Sequence, residues 1–164
     1  MKYLFAVLIM TAALANGQSE PNLHDTTTFM ENFVEAHGHW INDDGSIGLE
    51  VVSVIECKVT VHSELIKNDT LVRTPADATW SFSLGDLDPN TVKTVVPLDH
   101  HPSAYTQFET TDSKPLISLG RRDGHAEPLL AGWEINLDSK EDADRFTKAF
   151  KHAVILCGGK PSTF

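Results

Sequence analysis

Basic residues are scarce in this 164-residue chain: 13 Lys and Arg stand against 23 Asp and Glu, a formal net charge of −10. Nucleic acids and anionic lipid surfaces both require a basic footprint, so a chain this acidic is expected to bind neither. Cysteine is nearly absent, with only Cys57 and Cys157. Two cysteines are too few for a metal cluster and suit a single bridge formed in an oxidising compartment. Outside the first residues there is no long apolar run, and the Leu4–Leu14 stretch falls short of the ~20 residues needed to span a bilayer. Phosphate-binding glycine loops and the His-Glu-x-x-His pair are missing. "GSIG" around Ser46 lacks the first glycine of a nucleophile elbow, since residue 44 is Asp, and it precedes a strand instead of following one.

What is present begins with "MKYLFAVLIMTAALANGQ". Lys2, the apolar run and the small residues Ala15 and Gly17 have the three parts of a secretory signal. Cleavage after Gly17 is expected, giving residues 1–17 as signal, 18–45 as a polar leader with a short helix, and 46–164 as the main domain. The 147 residues left after removing 17 from 164 make one ordinary domain with net charge near −11. A hydrophobic share of 41% argues for a packed core.

"HDTTTFMENFVEAHGHW" predicts the short helix, capped by Asp25 or a following threonine and closed by Gly38. "LEVVSVIECKVTVHSEL" reads as one long strand whose odd positions, Cys57 among them, face inward; Val52 and Val54 blur its first half. "TLVRT", "ATWSFSL", "TVKTVVPL", "AYTQFETT", "PLISLGRR" and "LLAGWEINL" follow as strands, with turns at "NDT" and Asp123-Gly124. The period then changes. Ala143, Phe146, Phe150, Ala153 and Cys157 recur at 3–4 spacing, Ser139 with Asp142 forms a capping box, and Gly158, Gly159 and Pro161 stop the helix. Glu141–Arg145 and Asp144–Lys148 are expected as pairs one turn apart.

About six or seven consecutive strands with no helix between them point to antiparallel pairing, and the final helix needs apolar surface to cover. The expected fold is mainly β within the α+β class: a small antiparallel β-barrel capped by the C-terminal α-helix. The segments "LGDLDPNTVK", "IECKVTV" and "ADRFTKAFKHAVILCGG" resemble uncharacterised secreted bacterial proteins with pleckstrin-homology-like barrels and a terminal helix ending in Cys-Gly-Gly. That resemblance, over Leu49 to Gly159, implies a PH-like fold and brings no catalytic residue or ligand with it. The basic cluster of lipid-binding members has no counterpart, since Lys58, Lys67 and Arg73 are scattered among acids.

Chemistry-bearing residues are few. His37 and His39, near Asp43 and Asp44, and the run Asp99, His100 and His101 are metal-ligand types without diagnostic spacing, so surface loops are the plainer reading. Asp86 and Asp88 suit turn chemistry, and Trp80 and Trp133 suit core packing. Arg121 and Arg122 form a basic pair before a turn, and Asn68-Asp69-Thr70 is a formal glycosylation acceptor. Cys57, read as inward on its strand, and Cys157, read as inward on its helix, are expected to form the disulfide.

Three functions remain open. The leading one is an exported, monomeric, non-enzymatic module without a cofactor, binding an unknown protein or small ligand. The second is a small secreted metal-dependent hydrolase built on the His/Asp loops. The third is a lipocalin-like carrier of an apolar ligand.

Overall fold

The computed structural model describes residues 20–41, 46–66, 73–97, 104–121 and 127–163. The expected signal, Asn68, Asp99, His100, His101, Arg122 and the Asp123-Gly124 turn lie outside them.

Helix α1 spans Leu23–His37, one turn longer at its start than the apolar spacing indicates. Its cap is Asn22, whose side chain accepts from the Asp25 N–H at 3.0 Å, and neither Asp25 nor a threonine has that role. Eight strands follow: β1 His39–Ile41, β2 Ile47–Ile55, β3 Lys58–Ile66, β4 Arg73–Ser83, β5 Lys93–Val95, β6 Ala104–Glu109, β7 Ser118–Arg121 and β8 Gly132–Leu137. Helix α2, Lys140–Leu156, ends the fold. Every strand pair is antiparallel, in a five-stranded sheet of order β1-β2-β3-β4-β7 and a three-stranded sheet of order β5-β6-β8. The class is α+β as expected, but the described residues form two sheets and no closed barrel.

The expected long strand is a hairpin. β2 and β3 pair Val52 with Val61 and Val54 with Val59, around a two-residue turn of Glu56 and Cys57. A two-residue turn pairs even positions with odd ones, so the inward face switches parity across it. Val52 is buried from the even set and Val59 and Val61 from the odd set, while Ile55 is 74% exposed. Cys57 therefore sits in the turn and not on the buried row. Likewise β4 is one strand where two were expected, continuous through Pro75 beside the register shift between His62 and Glu64 of β3.

The reason the sheets stay separate lies in β8. Trp133 stacks on Trp80 of β4 with centroids 3.5 Å apart, Asn136 meets Glu50 of β2, and the Asp138 N–H donates to the His37 carbonyl beside β1. In six residues β8 passes β4, β2 and the start of β1, so it crosses the large sheet instead of running along one of its strands. A ladder cannot form across such a crossing; side chains and single hydrogen bonds close the seam instead. At the far side one two-way bridge, Ile117 with Leu130, joins the sheets.

The core fills the space between. Phe33, Phe146, Phe150, Phe108 and Phe82 contact one another in sequence, with centroid separations from 4.9 to 6.4 Å. The α2 stripe of Ala143, Phe146, Phe150 and Ala153 is fully buried, as its spacing indicates. Ser139 caps α2, accepting from the Asp142 N–H at 3.2 Å. The charged side chains depart in part from expectation: Asp144 pairs with Lys140 at 2.6 Å while also feeling the favourable charge of Lys148, and Arg145 lies over the Phe33 ring.

Candidate functional site

Cys57 and Cys157 are bonded, with Cα atoms 5.8 Å apart, joining the β2–β3 turn to the end of α2. The two glycines after Cys157 have separate reasons. Gly158 adopts φ +84°, and its N–H donates to Ile155 while that of Gly159 donates to Val154, the two bonds of a Schellman stop. Gly159 is a matter of space: a Cβ there would lie 2.5 Å from Val154 Cγ1 and 2.7 Å from the Leu87 carbonyl oxygen. Gly85 is tight against the same junction, since a Cβ on it would meet the Cys157 carbonyl oxygen at 2.7 Å. The "GDLDPN" loop and the "CGG" end are thus two halves of one joint. The chain beyond it is held by Asp88, only 4% exposed, which accepts from the N–H groups of Asn90 and Ser162 at 2.8 Å each. Burial pushes the Asp88 carboxyl up, but those N–H groups outweigh it and hold it below the usual carboxylate range. Turn chemistry is what the sequence indicates for Asp88, and the structure extends it to the tail.

Of the metal-ligand candidates, His37 and His39 are brought together, and with partners distant in sequence. His39 Nδ1 lies 2.9 and 3.1 Å from the two Asp138 oxygens, and His37 Nδ1 lies 3.6 Å from Asp142 and 3.9 Å from Asp138. A carboxylate only accepts, so the His39 ring presents an N–H to Asp138. These are ordinary polar contacts at a partly exposed surface, with side-chain exposures from 16% at Asp142 to 40% at Asp138. Among the described residues, no group of three or more His, Cys, Asp or Glu is arranged to hold a metal. Arg121 is engaged by Glu127 at 2.6 Å.

Next to these histidines, in the seam between the sheets, is a residue that the sequence reading passed over. Glu50 is 5% exposed; its two carboxyl oxygens accept from the Asn136 side chain at 2.8 Å and from the Asn136 backbone N–H at 3.2 Å. Burial is the main influence on its acidity, the Asn136 bonds oppose it and neighbouring Glu134 reinforces it, leaving the pKa raised to about 8. Glu134 is itself raised by burial. The signal that finds Glu50 is the hairpin: once the turn is at Glu56 and Cys57, Glu50 shares the inward face of Val52.

On the opposite side of the α2 stripe, α1 and α2 enclose a groove of about 550 Å³. Pro21, Thr26, Phe29 and Ala149 line it, with Glu20 and Asp25 on the α1 side and Lys148 and His152 on the α2 side. Phe29 is 36% exposed, tilted on Phe33, and lines the groove. The His152 Nε2–H donates to the Pro21 carbonyl at 2.9 Å and fixes one end. Volume, apolar lining and a few polar groups are the attributes of small-molecule sites.

No protein-family model, curated protein or solved structure matches this chain. Among the described residues, no helix is long and apolar enough to cross a membrane.

Proposed function

We propose that the chain is an exported, disulfide-stapled binding module that performs no chemistry of its own and receives its ligand in the groove between α1 and α2. The observation that carries this reading is the groove: about 550 Å³, floored by Phe29 and Ala149, with charged groups only at its banks. Export is part of the reading, supported by the Cys57–Cys157 bridge and by the apolar leader. So is the pleckstrin-homology-like ancestry, supported by a strand meander ending in a helix laid on the smaller sheet. In this reading the seam is where a closed barrel has opened. The net charge of −10 favours neutral or cationic ligands over nucleic acid and anionic lipid.

The test is an amide NMR screen of the labelled protein against drug-sized apolar fragments. Shifts should cluster on Phe29, Ala149 and His152 and disappear in Ala149→Trp, which fills the groove. Fragments that perturb other surfaces only, or shifts that survive Ala149→Trp, would refute the assignment.

A further inference from the structure

On the reading of the groove given above, on which this step rests, we propose that its ligand is a short zwitterionic peptide with an apolar side chain. Its ammonium group lies on the α1 bank, its carboxylate on Lys148, and its side chain on the floor between them.

The two helices run antiparallel. Phe33, near the end of α1, stacks on Phe146 in the first half of α2, and the Pro21 carbonyl before α1 receives the His152 Nε2–H at 2.9 Å near the end of α2. Asp25 and Phe29 on α1, and Lys148 and Ala149 on α2, fall between these two ties. Asp25 and Phe29 are four residues apart and share one face of their helix, as Lys148 and His152 do on theirs. The floor offers little for a polar group. Thr26 is 4% exposed, and its hydroxyl is spent on the Asn22 carbonyl at 2.8 Å. Polar ends of a ligand must therefore find their partners on the banks.

Those banks carry opposite charge and do not neutralise each other. Glu20 and Asp25 stand on the α1 side and Lys148 on the α2 side, and among the described residues no ion pair joins them. Lys148 adds favourable charge to Asp144 of its own helix, but Lys140 already holds that carboxylate at 2.6 Å. His152 is committed to Pro21. Opposite charges thus face an apolar floor from two helices, whose axes pack ~8–10 Å apart in general. A ligand of one sign would satisfy one bank and be opposed by the other. A peptide of about three residues spans ~10 Å when extended, so it reaches both banks and lays its central side chain on Phe29 and Ala149. A cavity of about 550 Å³ has room for it. Its net charge is zero, so the overall charge of −10 does not repel it.

The probes are a tripeptide with free termini and a central phenylalanine, and the same peptide acetylated at its N-terminus, amidated at its C-terminus, or blocked at both. Titrations followed by amide NMR at low salt give each affinity and locate each ligand. The free peptide should bind about tenfold more tightly than the doubly blocked one, since each exposed charge contact is worth about threefold. Glu20→Gln with Asp25→Asn should erase the cost of acetylation and leave that of amidation, and Lys148→Gln should do the reverse. All three side chains are exposed, so the variants should fold. Equal binding of free and doubly blocked peptides, or a groove that takes apolar fragments and none of the peptides, would overturn the peptide assignment and leave the groove as a site. A groove that takes neither would overturn both.

Discussion

Removing the disulfide, by reduction or by the double replacement Cys57→Ala with Cys157→Ala, should destabilise the protein chiefly through its unfolded state. The bridge spans 100 residues. A loop of that length corresponds to ~4.7 kcal/mol in the chain-entropy model, and measured losses commonly fall to ~2–4 kcal/mol. The native side contributes little, because each end of the bridge is fixed independently. Cys57 lies in a turn closed by the β2–β3 ladder, and its carbonyl accepts from the Leu84 N–H at 2.8 Å. Cys157 is the C-cap of α2, with Gly158 and Gly159 completing the stop beyond it. Urea denaturation of oxidised and reduced protein at one pH gives the difference. The melting temperature should fall by roughly 5–15 °C, at the ~2–4 °C per kcal/mol typical of a chain this size. The denaturant slope should rise, since the unfolded reduced chain exposes more surface. A loss below ~0.5 kcal/mol would refute the entropic argument. So would native-state amide spectra showing the β2–β3 turn rearranged on reduction, because that would place the effect in the folded protein.

The two terminal glycines should separate in a substitution series. Gly158→Ala meets no neighbour within 4 Å but must hold φ +84°, costing ~1–2 kcal/mol, and Gly158→Asn should recover much of that because Asn tolerates the left-handed region. Gly159→Ala collides with Val154 and Leu87, so Gly159→Asn should fare no better; equal recovery at both positions in urea melts would contradict this. Stability itself should depend on pH through Glu50. Its folded pKa of about 8 lies above the ordinary glutamate value of 4.5, so the folded state keeps a proton that the unfolded chain has lost. The contribution is complete below about pH 4.5 and declines by at most ~1.4 kcal/mol per pH unit up to about pH 8, so ~5 kcal/mol is its ceiling. Urea melts at fixed pH values should show that decline flattened in Glu50→Gln; a wild-type stability that rises across the same window would refute the sign.

Helix α2 is legible because every signal for it is local: a 3–4 stripe, a serine cap and two glycines within one continuous segment. The β2–β3 hairpin is concealed because its turn is Glu56-Cys57, without the Asn-Gly or Asp-Gly that marks such turns. Glu56 takes φ 56°, a conformation costly for a residue with a side chain, so composition points away from a turn at that position. The information was nevertheless present. Val52 and Val54 break the odd-position pattern because the inward face changes parity at the turn, and the same shift buries Glu50, which the long-strand reading turns to solvent. The cysteine pairing is correct although its route is not, since Cys57 reaches its partner from a turn and not from a buried row. His37 and His39 meet Asp138 and Asp142, about 100 residues away, and the sequence neighbours Asp43 and Asp44 lie outside the described residues. Closure of the barrel depends on the angle at which β8 crosses β2, and no local pattern encodes that angle.

The staple and the seam are coupled by the way the chain connects them. Glu50 lies five residues before the end of β2, about 17 Å of strand from the turn that holds Cys57. Asn136 lies just before α2, whose 17 residues extend about 25 Å to Cys157. Both sides of the Glu50–Asn136 contact therefore run toward the same disulfide, one as a strand and the other as a helix. The bridge fixes the C-terminal end of α2 to the β2–β3 turn, and the Asn136 bonds to Glu50 fix the strand that leads into α2 to the same hairpin. The helix that carries Phe146, Phe150 and Ala153 into the core is thus tied to β2 and β3 at both ends, covalently at one and by hydrogen bonds at the other.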